Sequence, residues 1–179
     1  MVNRTDLESL FKEHGLADYR WIDPQAIVVA HWVRMKCMFG CGEFGQRACC
    51  PPNVPSVAEC RQFFDEYNTA AIFHFAQAFD RPEDRRAWTR AINDDLMKLE
   101  RAVFLVGHER AFLLPMASCS LCAECTATKQ ECKNPGMARP TPEAFAIDVF
   151  STARQYGYPI HVLTNHTQTM HRYAFILIE

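Results

Sequence analysis

The sequence has no apolar run approaching the ~20 residues that a membrane-spanning helix requires, and no basic cluster. Its 19 Lys and Arg stand against 21 Asp and Glu, for a formal net charge of −2. Nothing therefore supplies the electrostatic footprint of a nucleic-acid binder. The opening residues, Met1-Val2-Asn3-Arg4-Thr5-Asp6, lack the basic-then-apolar pattern of a secretory leader. There is no phosphate loop, no dinucleotide fingerprint and no Ser-His-Asp arrangement that can be placed from sequence. Internal repeats, low-complexity tracts and Gly- or Ser-rich linkers are missing too. What remains is the expectation of one cytoplasmic domain, residues 1–179, with neither membrane nor nucleic acid as partner.

What the chain has in abundance is apolar residues, 49% of the total with 13 Phe among them, and nine cysteines. The first is enough for a core that needs no cross-links. In a reducing compartment the second stay thiols, and dense thiols there point to metal or redox chemistry. Their placement is uneven. Cys37, Cys41, Cys49 and Cys50 form one group, Cys119, Cys122, Cys125 and Cys132 another, and Cys60 stands apart.

Capping boxes at Thr5–Glu8 and Ser56–Glu59 each announce a helix. A third helix is expected from Pro82 to Val106, and a fourth from Thr141-Pro142-Glu143 to near Gly157. Between them lie short β-prone runs at 27–35, 70–75, 111–116, 160–163 and 173–178. Alternating helices and strands predict an α/β fold, a single layered domain with a mostly parallel sheet. The link 164–172 is too short for a crossover helix, so the last two runs should form a C-terminal antiparallel hairpin. Each cysteine group then follows a strand, and both cysteine loops meet at one edge of the sheet.

In the second group, three cysteines spaced by two residues wrap a short loop around a cubane, with Cys132 reaching in from farther along. Zinc more often uses paired Cys-x2-Cys knuckles a dozen or more residues apart. In the first group, Cys50-Pro51-Pro52 resembles the ending of ferredoxin motifs, and Gly40, Gly42 and Gly45 let the backbone curl. Adjacent cysteines diverge, so Cys50 is expected as the ligand and Cys49 as a bystander. Three ligands leave one iron open. Arg34, Lys36, Arg47, Lys129, Lys133 and Arg139 flank the groups and would offset their negative charge. Cys60 reads as a core thiol on a helix face. His31 and His74 read as buried strand residues, and Glu143 and Asp148 as a helix-surface carboxylate and a cap.

At these residues the chain resembles an uncharacterised prokaryotic family of predicted metal-binding proteins. The shared pattern runs from Cys37-x3-Cys41 through Phe44-Gly45 and Cys50-Pro51-Pro52 to Cys119-x2-Cys122-x2-Cys125. It continues through Cys132-x2-Pro135 and Arg139–Ala144 to Ile147-Asp148-Val149. The resemblance implies metal binding through Cys37, Cys41, Cys50, Cys119, Cys122, Cys125 and Cys132, and it implies no reaction. The leading expectation is a protein with one or two [4Fe-4S] clusters, acting with a redox partner protein in electron transfer or in a redox accessory role. The alternatives are an enzyme whose three-cysteine cluster offers an open iron to a small-molecule substrate, and a zinc-stabilised binding module.

Overall fold

A computed structural model describes residues 3–179. Helix α1 (Arg4–Glu13) is capped by Asn3, whose side chain accepts from the Thr5 amide, so the capping box expected at Thr5 is not used. α3 (Val57–Asp65) does open on its capping box, with Ser56 and Glu59 exchanging hydrogen bonds. α4 (Asp84–Leu105) is close to its predicted span and buries Leu96, Leu99 and Val103. The remaining helices are α2 (His31–Gly40) and α5 (Val149–Gln155).

The four strands are β1 (Tyr19–Ile22), β2 (Ala70–Gln77), β3 (Phe112–Leu114) and β4 (Met170–Leu177). They form one sheet in the order β1-β2-β4-β3, and every pairing is antiparallel. This corrects the mostly parallel sheet. β2 and β3 do run the same way, joined by α4 as a crossover should join them. The slot between them, however, is filled by β4 running in the opposite sense. Helices cover both faces. Leu7 and Phe11 of α1 pack with α4 against Phe73, Ala174 and Ile176 on one side. On the other, Val57, Cys60 and Phe64 of α3 join Val149 and Ala153 of α5 over Ile72, Tyr173 and Phe175.

Three further expectations fail for identifiable reasons. Residues 27–35 are not a strand. One isolated bridge, Val29 to Ile147, is all that forms before the chain enters α2. Short apolar runs have no period that separates strand from helix. Residues 160–163 are irregular, with Val162 75% exposed, so the expected hairpin is absent and β4 pairs with β2 and β3 instead. The segment from Thr141 makes turns, and the helix waits until Val149. Ala146 sits at φ 59, outside the helical region, where its carbonyl accepts from Ala30 N, and the Asp148 amide goes to Val28 O. Those bonds to residues 28–30 replace the helical ones.

Arg139, expected to flank the thiols, is a structural residue. Its Nε donates to both carboxylate oxygens of buried Glu100 at 2.9 and 3.0 Å, and the same carboxylate accepts from Leu113 N at 2.8 Å. This ties α4 to β3. Arg139→Met should strand a buried carboxylate and cost about 3 kcal/mol, read as a lower urea midpoint with an unchanged slope.

Candidate metal centre

Cys37 lies in the last turn of α2 and Cys41 is its C-cap residue, so the two stand four positions apart and both sit on one side of the helix end. The chain then folds back through turns. Gly45 takes φ 73, a value glycine adopts without strain, and its amide donates to Pro51 O at 3.0 Å. Cys50 N donates to Arg47 O and Asn53 N to Cys50 O, at 3.1 and 2.9 Å. The second cysteine segment leaves the end of edge strand β3 and has no helix or strand until α5. Its Ala117 and Ala127 sit at φ 61 and 63, a region that costs an L-residue roughly 1–2 kcal/mol.

The two segments are fastened to each other. Ala48 N donates to Cys125 Sγ at 3.4 Å, and Asn53 Nδ2 donates to Ala127 O at 2.6 Å. Arg47 and then Ser118 hydrogen-bond the Glu43 carboxylate and hold it below the usual carboxylate range. Between the segments lies a narrow cavity of about 10 Å³, with Cys49, Cys119, Cys122, Cys125 and Cys132 in its wall. Cys49 and Cys119 share a hydrogen bond across it. That bond raises the Cys49 thiol, with burial adding, and favours the thiolate of Cys119. Asn134 Nδ2 donates to Cys122 Sγ at 3.0 Å.

Cys50 belongs to a different neighbourhood. Burial pushes its thiol up to about 12, with negative charge at Glu43, Cys37 and Cys41 adding. Cys37 is raised by burial, then by Cys41 and Glu143. The seven cysteines read from the sequence thus divide, with Cys37, Cys41 and Cys50 in one set and Cys119, Cys122, Cys125 and Cys132 in the other. Cys49, expected to stand by, turns away from its neighbours in sequence and joins the second set. The signal was present: two adjacent side chains diverge, and here each has a thiol group to face. Cys60 is fully buried in the core among α3 side chains, bonded to Pro55 O.

Of the flanking cations, Arg47 stands between the sets, close enough for Cys125 and Cys50 to raise it beyond the effect of Glu43. Lys129 lies near Cys49 and Cys119. Arg34 lies close enough to Cys37 to oppose the rise of its thiol and also donates to the carbonyls of Pro55 and Ala144, while Lys133 is exposed. His31 is not in a strand but exposed at the start of α2, and Asp148 caps α5 through Ser151. His74 is in β2 and belongs to a hydrogen-bonded chain that the sequence did not suggest.

Cys37 and Cys41 also open on a cleft of about 660 Å³ between α2 and the strand β4. Lys36 and Glu143 line it together with mostly apolar side chains. Among the described residues, no three of His, Cys, Asp and Glu converge closely enough to hold a single metal ion. No helix described is long and apolar enough to cross a membrane.

Comparison with known proteins gives one finding. A family model described as Predicted metal-binding protein (DUF2284) matches residues 20–178. No curated protein and no solved structure matches.

Because Cys60 faces the core and neither thiol set, Cys60→Ala should keep the full metal content of the wild-type protein. It should cost about 1 kcal/mol of stability through lost packing. Metal analysis beside thermal unfolding checks both halves, and loss of metal would place Cys60 in the site.

Proposed function

The chain belongs to that family of predicted metal-binding proteins, and on this premise we propose that it is an iron–sulfur protein with one or two cubane clusters, serving electron transfer. One observation carries the reading: eight of the nine cysteines gather into two adjoining sets, five around one cavity and three around Cys50. The donor set is all sulfur, the ligand that iron–sulfur clusters take. Arg47 and Lys129 supply positive charge beside it, and backbone and side-chain N–H groups reach Cys125 and Cys122, the contacts that raise a cluster's potential.

A lone zinc ion fits less well. Zn–S bonds of about 2.3 Å require four thiolates to crowd one point, and no three donors among the described residues do so. A polynuclear group holds its thiolates farther apart. The cavity is small, so taking one in would spread the loops. These loops carry turns and not ladders, and spreading them breaks few backbone hydrogen bonds.

On this reading Cys119, Cys122, Cys125, Cys132 and Cys49 provide more than the four ligands that one cubane needs. Cys37, Cys41 and Cys50 provide three ligands for another. A second reading rests on the cleft. Cys37 and Cys41 face it, so a cluster held by three thiolates would present its remaining iron to a bound small molecule. Such an iron supplies a Lewis acid. Within the cleft, Lys36 and Glu143 are placed to orient what binds.

Anaerobic purification should yield protein with iron and acid-labile sulfide, and stoichiometric zinc without sulfide would overturn the proposal. Cyanide should perturb the spectrum of the three-thiolate centre. Cys50→Ser should abolish that cyanide-sensitive signal and lower iron by about half where both clusters form. Cys49→Ser should leave the signal in place, and its loss there would overturn the division of the two neighbouring cysteines.

A further inference from the structure

We propose that the cleft beside Cys37 and Cys41 is a proton-linked binding site for an apolar organic acid, with His171 taking up the proton at the cleft end of a hydrogen-bonded chain that leads to Asp18. That chain is continuous. His74 Nδ1 meets Asp18 Oδ2 at 2.7 Å, and His74 Nε2 meets His171 Nδ1 at 2.8 Å. Asp18 is held in place by Tyr158, whose hydroxyl donates to Oδ1 at 3.0 Å. The chain runs from solvent to cleft. The Asp18 side chain is 59% exposed and that of His74 only 10%, and His171 lines the cleft wall.

Its proton inventory follows from the acceptor at one end. An ionised carboxylate only accepts, so His74 Nδ1 carries a hydrogen. With His74 neutral, its Nε2 accepts from His171 Nδ1–H, and His171 Nε2 is left with a lone pair. A proton taken from solvent through the open cleft adds to that lone pair and makes His171 an imidazolium, both of whose nitrogens donate, Nδ1–H to His74 and Nε2–H into the cleft. His74 keeps its Nδ1–H on Asp18, whose negative charge supports the imidazolium through the chain. The balance is one proton from solvent for one positive charge at the cleft wall. Burial, then His74 and His161, hold His171 below the ordinary histidine value, so in the free site its Nε2 has room for that proton at pH 7.

The lining names the ligand class. The volume, about 660 Å³, is that of a small-molecule site. Trp32, Phe150, Ile160 and Leu163 offer an apolar or aromatic surface. The titratable groups that face His171 are His74 from β2, His161 from the segment before β4 and Tyr173 beside it. Across the cleft stand Lys36, Cys37 and Cys41 at α2 and Glu143 ahead of α5. Arg172, the next residue along β4, lines the cleft as well, and its Nε donates to Met170 Sδ. Lys36 and Arg172 outnumber Glu143, and His171 adds to them once it is charged. An anionic head on an apolar body is the ligand that this wall complements.

The inference holds with or without a cluster on Cys37 and Cys41, and its test counts protons and not iron. Its failure therefore leaves the iron–sulfur reading standing. Anaerobically purified full-length protein is titrated calorimetrically at pH 7 with 3-phenylpropionate and with its uncharged amide, in buffers of different ionisation enthalpy. The acid should bind at least tenfold more tightly than the amide and take up a proton on binding, while the amide takes up none. His171→Gln should abolish the uptake and His161→Gln should keep it. Asp18→Asn, a change at an exposed side chain, should move the midpoint of uptake to lower pH, because it removes the anion that supports the charged His171. Unchanged amide binding shows that a variant is folded. Equal binding of acid and amide, absence of binding, or uptake that survives His171→Gln would overturn the proposal.

Discussion

Eight cross-strand pairs join β2 to β4, from Ala70 opposite Leu177 to Gln77 opposite Met170, and this pairing sets almost everything else. It places Ala71, Phe73, Ala174 and Ile176 on the face covered by α1 and α4, and Ile72, Tyr173 and Phe175 on the face covered by α3 and α5. It displaces β3 to the edge, so the long cysteine segment that follows is free of the sheet. Near its far end it brings His74 and His171 close enough to share a hydrogen bond. A one-residue slip of β4 would carry His171 away from His74 and turn that strand's core residues to the opposite faces. The His74–His171 contact is therefore as firmly specified as the hydrophobic core.

The cysteine segments are held differently. They are joined by a few side-chain and sulfur contacts, through Asn53, Ala48 and Glu43, and not by a ladder. Burial raises the thiols of Cys37 and Cys50, which opposes the deprotonation that ligation needs. A bound metal reverses that cost, because a cation beside each sulfur stabilises the thiolate and releases the proton. Ligation and loop order are then one equilibrium, and the turns around Cys50 and Cys125 gain most of their rigidity from it.

The legible parts of the sequence were those with local signals. The Ser56–Glu59 cap, the α4 stripe and the apolar runs of β2 and β4 all depend on neighbours a few residues away. The sheet order does not. Whether β2 and β3 lie side by side or admit β4 between them is decided by packing across 100 residues, and the αβ alternation is the same either way. Residues 27–35 misled because an apolar run flanked by polar residues fits a strand as well as a helix. Only the bridge from Val29 to Ile147 and the start of α2 at His31 decide it. Among the candidate ligands, spacing fixed the Cys119-Cys122-Cys125 run, whereas the side on which Cys49 falls depends on a loop that returns from elsewhere in the chain. The His74–His171 contact had no local signature at all: the two residues lie 97 positions apart.

The division of Cys49 from Cys50 has a geometric corollary for the iron–sulfur reading. Their α-carbons are about 3.8 Å apart, as across any trans peptide, and the two side chains leave in opposite senses. Centres held by these neighbours would be linked through a single peptide unit, with Arg47 beside both sets. An electron arriving at the five-thiol set would then be within a short step of the three-thiol set, which faces the cleft. The cleft in turn carries a proton donor and acceptor on its opposite wall, in His171. Thiols at α2 and the proton-binding His171 of β4 thus face one another across the same space. That is the arrangement needed wherever an electron and a proton must reach one small molecule, and it follows from two local facts: a dipeptide whose side chains diverge, and a strand pair that sets two histidines in line.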